Sequence, residues 1–201
     1  MANATISAKD VGVLRKRTGA GMMDCKKALE EAGGDMERAV DILRKKGTAR
    51  AEKRAGRTAA QGVVSSYIHF NGRVGVLLEL NCETDFVANT DDFQTLAREV
   101  AMHIASANPI AVSPDQVPAD IVAREKAIYL EQAKESGKPA AVQEKMAEGK
   151  LRKFFEERVL LEQPYVKDDK QKVGDLVKAV SGKVGENVVV RRFARFEVGG
   201  D

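Results

Sequence analysis

The sequence predicts an α+β fold: an N-terminal three-helix bundle, then a core of antiparallel three-stranded sheet with packed helices and a helical hairpin. Three observations carry this. Up to about Lys46 the apolar residues recur at helical spacing between glycine-rich breaks. The period then changes to that of strands in "GVVSSYIHF", "NG" and "RVGVLLELNCE", where two apolar, β-branched runs flank a turn dipeptide. After a long helical stretch, "ENVVVRRFARFEV" alternates again and supplies a third strand, which a hairpin needs for stability. The domain organisation read from this is 1–47 for the bundle, 48–61 for a basic linker and 62–201 for the core.

In the bundle, Ser7 followed by Asp10 resembles a capping box, and Val11 and Leu14 begin an apolar face that ends at Thr18-Gly19-Ala20-Gly21. A second helix opens near Met22 to Asp24, turns Cys25, Ala28 and Leu29 inward, and stops at Gly33-Gly34. Asp35 caps a third with Met36, Ala39, Val40 and Leu43 on one face, and Gly47 after two lysines is expected to end it. Asn71-Gly72 suits a two-residue type I′ turn between the first two strands. Phe93, Leu96, Ala97, Val100 and Ile104 define an amphipathic helix capped by Thr90 or Asp91 and ended by Asn108-Pro109. Two helices on either side of Gly137-Lys138-Pro139 form the helical hairpin. A short helix, "VGDLVKAV", precedes the last strand.

Composition limits what such a fold can do. A chain of 201 residues buries roughly 70% of its unfolded surface, so no disulfide scaffold is required. Cys25 and Cys82 lie far apart, match no metal-ligand spacing, and read as small apolar core residues of a protein in a reducing cytosol. No stretch approaches 18 consecutive apolar residues, which argues against a membrane span, and the N-terminus has no secretory h-region. The net charge of +3 is small but uneven. Arg44, Lys45, Lys46, Arg50, Lys53, Arg54 and Arg57 share their stretch with one acid, Glu52. Such a run suits a solvated helical linker, with phosphate or an acidic protein surface as the alternatives.

Catalytic signals are absent from the pattern. His69 and His103 have no nucleophile or metal motif around them and read as structural. Gly19-Ala20-Gly21 follows a helix rather than a strand and is a helix break, not a phosphate loop. Asp91-Asp92 sits at a helix start and Asp168-Asp169 at a turn. No cofactor or metal is expected, and binding rather than catalysis is the predicted activity. Two features ask for a binding role. Met22 and Met23 are adjacent on a helix, so they cannot share one face, and adaptable thioethers suit a protein contact as well as partial burial. Phe86 stands in "NCETDFVAN", too polar a stretch for core; either it staples the start of the next helix or it is held out for a partner.

"LRKRTGAGMMDCKKALEEAGGDMERAVDILRKKG" and "NCETDFVAN" closely resemble the bacterial elongation factor Ts family, the guanine-nucleotide exchange factors of elongation factor Tu. The resemblance extends through "AMHIA", "SGKP", "EKMAEGKLRKFFEE", "QPYVKDD" and "RFEVG". It implies that the N-terminal bundle is ubiquitin-associated-like and that the core is an α+β domain. Longer family members carry two related sheet-and-helix subdomains and a protruding helical module; here "RFEVG" comes soon before the last residue, which is similar to the short form. Short members work as homodimers whose sheets complete one core, so the resemblance implies a two-plus-two complex with elongation factor Tu, without direct contact to nucleic acid or membrane.

By the same resemblance the family's intruding motif falls on Thr84, Asp85, Phe86 and Val87, with Phe86 as an apolar wedge in the partner and Asp85 helping to dislocate the partner's magnesium. Arg15, Met22 and Met23 would touch the GTPase domain from another side. Two other readings predict different behaviour: an adaptor would bind without changing nucleotide release, and an RNA-binding protein using the basic stretch would bind with steep salt dependence.

Overall fold

The computed structural model describes residues 6–200. Eight α-helices and five strands follow one another along these residues. The chain divides into two compact units: the first comprises the chain up to Gly62 with Cys82–Phe93 and Val177–Val189, the second Val63–Asn81, Gln94–Leu176 and the remainder from Val190.

The first unit opens with helices α1 (Ala8–Thr18), α2 (Met22–Glu31) and α3 (Met36–Glu52). Local signals set their ends. Ser7 Oγ accepts the Asp10 N–H at 3.1 Å and donates to the Asp10 carboxylate at 2.6 Å, so cap and first-turn acid satisfy each other. Gly19 takes φ +68° and donates its N–H to the Arg15 carbonyl, which closes α1 with the left-handed residue that glycine adopts without steric cost. Asp35 caps α3 through the Arg38 N–H. Leu14, Cys25, Ala28, Leu29, Ala39 and Leu43 form the buried centre of this bundle.

Gly47 does not end α3, contrary to the expectation from its neighbours. The helix runs on to Glu52 and buries Ala51. The reason is tertiary. A Cβ on Gly182 would lie 2.8 Å from the Gly47 carbonyl oxygen, so the backbone of helix α8 (Val173–Val184) approaches this part of α3 closely. A mid-helix glycine costs only about 1 kcal/mol, which such packing outweighs. Arg50 meets Asp24 through two bonds of 2.8 and 2.9 Å, and Lys178 of α8 reaches Glu52 at 3.1 Å. The expected short helix before the last strand is accordingly four residues longer than the periodic segment "VGDLVKAV".

Strands β1 (Gln61–Ile68), β2 (Val74–Cys82) and β5 (Val189–Glu197) form an antiparallel sheet in the order β1-β2-β5. β2 is central, with Val76, Leu78, Leu80 and Cys82 buried on one face. The β1–β2 turn is wider than a two-residue type I′ turn. Gly72, at φ +68°, donates to the His69 carbonyl and His69 donates to Val74, so Phe70 and Asn71 are the central pair. Asn71 keeps a negative φ because its Oδ1 accepts the Arg73 N–H at 3.0 Å, an Asx-type turn that the I′ geometry would break.

In the second unit the helical hairpin is α6 (Ala119–Lys134) against α7 (Ala140–Arg158), joined through Gly137 at φ +66°. Ala111, Val117 and Val159 form a small buried cluster against which Phe154 and Phe155 pack. A ribbon absent from the sequence reading, β3 (Pro164–Tyr165) with β4 (Asp168–Lys172), precedes α8, and its register pairs Tyr165 with Asp168. Asp168 therefore begins a strand immediately after the turn, and its carboxylate accepts the Lys170 N–H.

Candidate functional site

Beyond β2 the chain passes through Glu83 and Thr84 into the single turn α4 (Asp85–Ala88). Thr84 is its N-cap, accepting the Val87 N–H on Oγ1 at 3.4 Å. One turn divides four side chains between two directions. Ala88 is buried and Val87 half-buried, while Asp85 and Phe86 face outward. Phe86 is 82% exposed, so its ring does not staple the next helix. That helix, α5 (Asp91–Ala107), begins instead at Thr90, whose Oγ1 accepts the Phe93 N–H, and Phe93 is the buried aromatic.

Two residues from the turn after α8 hold this loop. The Glu186 carboxylate accepts the N–H groups of Glu83 and Thr84, both at 3.0 Å, and the Thr84 hydroxyl at 2.6 Å. Asn187 donates its N–H to the Glu83 carboxylate at 2.7 Å and its side-chain amide to the Arg57 carbonyl at 2.7 Å. The Cys82 thiol donates to the Thr84 carbonyl at 3.1 Å. Burial pushes that thiol's pKa up, and the neighbouring Glu186 charge pushes it the same way, which favours the protonated thiol that donates this bond.

The other candidate contacts lie in the same compact unit. Met22 and Met23 are 53% and 62% exposed, so each keeps about half or more of its surface open to solvent. They start α2, whose N-cap, Gly21, provides no side-chain hydrogen bond, and Arg15 is exposed in the last turn of α1. The Lys183 side chain fills the space beside Gly19 and its ammonium meets Asp92 at 2.6 Å. The α1–α2 turn and the first turn of α5 are thus linked through one lysine.

The basic stretch is less free than its composition implies. Lys46 pairs with Glu31 at 2.6 Å, Arg50 with Asp24, and Arg57 with Glu83 at 3.5 Å. Both histidines are accounted for structurally. His103 is buried, with Nε2 3.0 Å from the Gln163 Oε1 and Nδ1 accepting the Val166 N–H, an arrangement of the neutral ring; burial pushes its pKa down. His69 Nδ1 lies 3.1 Å from the Tyr67 hydroxyl. Among the described residues no cluster of His, Cys, Asp and Glu could hold a metal ion, and no helix is long and apolar enough to cross a membrane.

Comparison with known proteins gives the family. Residues 45–200 match the family described as "Elongation factor TS". The chain is 54% identical over 196 residues to elongation factor Ts of Syntrophobacter fumaroxidans, covering 98% of both chains. It is 55% identical to that of Fervidobacterium nodosum over 96% of this chain and 98% of the relative. Against that of Anaeromyxobacter sp. (strain K) identity is 56%, over 98% of this chain and 90% of the relative. The chain belongs to the elongation factor Ts family.

The residues that hold this loop extend beyond its own segment to Glu186 and Asn187. Glu186 and Asn187 have no sequence signal that ties them to Thr84, which lies 102 residues away from Glu186 in the chain. The one local hint is an acid and an amide in a glycine-preceded turn between helix and strand, where a side chain is free to reach another segment's N–H groups.

Proposed function

We propose that this elongation factor Ts family member is a guanine-nucleotide exchange factor for elongation factor Tu that works by binding alone. The observation that carries this reading is Phe86, 82% exposed at the tip of a loop whose backbone is tied down. An exposed aromatic gains free energy only when a partner's pocket desolvates it, and such anchors commonly contribute 2 kcal/mol or more, an order-of-magnitude figure for buried interface aromatics.

In this reading Phe86 inserts between elements of the GTPase domain and Asp85, next to it, brings a carboxylate toward the partner's magnesium site. Magnesium bridges nucleotide phosphates and tolerates little departure from octahedral geometry, so a small displacement of its supporting groups removes much of the nucleotide's affinity. Thr84 and Val87 present the pair, one as cap and one as inward anchor. Arg15, Met22 and Met23 make a second contact from the bundle. Coupling is reciprocal, so bound nucleotide weakens this protein's binding by the same factor, and incoming GTP releases it.

The protein acts as a homodimer in this account. Supporting it, Val64, Ile68, Leu77, Phe196 and Val198 are exposed in the second unit, with Ile68, Leu77, Phe196 and Val198 lining one open groove. A contiguous apolar face of this kind on a sheet favours cover by a second protein surface.

The test is release of a fluorescent GDP from elongation factor Tu at fixed magnesium, with and without the protein. Acceleration that rises with concentration and saturates is the expected result. A stable complex without acceleration would overturn the exchange reading and leave an adaptor.

A further inference from the structure

Helix α4 has four residues, too short to hold its own conformation, because forming a first helical turn is unfavourable by itself. Its geometry must come from contacts outside the turn. The Thr84 hydroxyl is the pivot: it gives its proton to Glu186 Oε1 at 2.6 Å and offers a lone pair to the Val87 N–H. The other Glu186 oxygen takes the N–H groups that lead into the turn. Glu186 is itself fixed, since Gly185 at φ +80° turns the chain out of α8 and the Ser181 hydroxyl donates to the Glu186 carbonyl at 2.6 Å.

We infer that Glu186 is the positioning residue of the exchange loop, holding Thr84 so that Asp85 and Phe86 leave the surface in one fixed orientation before any partner arrives. The inference rests on the exchange reading. It has a distinctive kinetic consequence. Removing Glu186 leaves three donors without their acceptor and lets the turn sample other conformations, so only a fraction of molecules present Phe86 correctly. Apparent affinity falls in proportion to that fraction, while the saturated complex remains the same.

The experiment compares wild type, Glu186→Ala and Glu186→Gln in the free protein by amide hydrogen exchange and in fluorescent GDP release from elongation factor Tu. Glu186→Ala is expected to speed exchange of the Glu83, Thr84 and Val87 amides at least about tenfold and to raise the half-saturating concentration by about the same factor, with the limiting release rate kept within about twofold. Glu186→Gln keeps an acceptor oxygen for both N–H groups and should restore half-saturation to within about threefold of wild type. Unchanged amide exchange in a folded Glu186→Ala protein would overturn the inference. So would a fall in the limiting rate at unchanged half-saturation, which would make Glu186 a partner contact. If wild type fails to accelerate release, the exchange reading falls, and the amide measurement alone decides whether Glu186 holds the loop.

Discussion

Within one turn, Thr84 caps, Val87 and Ala88 anchor, and Asp85 and Phe86 are presented; the division follows from the direction of each side chain around a short helix. The sequence exposes the tension between an aromatic and its polar setting, but only the fold separates a staple from a presented ring. Glu186 and Asn187 were beyond sequence reasoning altogether, since nothing local distinguishes an acid that caps a distant loop from one that faces water. His103 gives a prediction at this scale. Its native pKa is lowered by burial, so at pH above about 6.5, the ordinary histidine value, folded and unfolded states are both neutral and the packed ring contributes fully. As pH falls through that value the unfolded chain takes up a proton that the native protein does not, and stability is lost. Denaturant melts should therefore show stability declining from pH 7 to 5.5 in wild type and a flatter profile in His103→Gln, at lower absolute stability. Parallel profiles would contradict the assignment.

Helix starts were legible because caps act over three residues: Ser7 and Asp35 do in the structure what their positions predict, and Thr90 settles the choice left open with Asp91. Ends decided by tertiary contact were not. Gly47 resembles a stop, yet α3 continues because α8 packs closely there, and the ribbon of β3 and β4 has too few residues to leave a period. The same two glycines make an asymmetric prediction. A Cβ at Gly47 meets nothing within 4 Å, so Gly47→Ala should raise stability by about 0.5–1 kcal/mol through helix propensity. A Cβ at Gly182 would come within 2.8–3.0 Å of Gly47 backbone atoms, which cannot yield as a flexible side chain can, so Gly182→Ala should cost about 1–3 kcal/mol. Thermal melts of the two variants should move in opposite directions; a shared direction would sink this account of the α3–α8 contact.

For the molecule as a whole, the α+β class, the bundle, the hairpin and the three-stranded sheet were all readable from period and punctuation, and resemblance supplied the family that comparison then established. The covering of the sheet was not readable, because which strand residues face solvent depends on what packs behind them. If the groove of Ile68, Leu77, Phe196 and Val198 meets a second copy, Leu77→Asp places a charge in that contact, and sedimentation should show a folded monomer where wild type is a dimer. A dimer that survives the charge would put the subunit contact elsewhere. Whether an exposed aromatic drives nucleotide out of a partner is decided by the limiting rate of fluorescent GDP release from elongation factor Tu with wild type and with Phe86→Ala. Because Phe86 is 82% exposed, the variant should melt as wild type does. Its release rate should be more than about tenfold lower, as expected for losing an anchor that contributes at least about 2 kcal/mol. A folded Phe86→Ala protein that releases GDP as fast as wild type would mean that Phe86 is not the wedge.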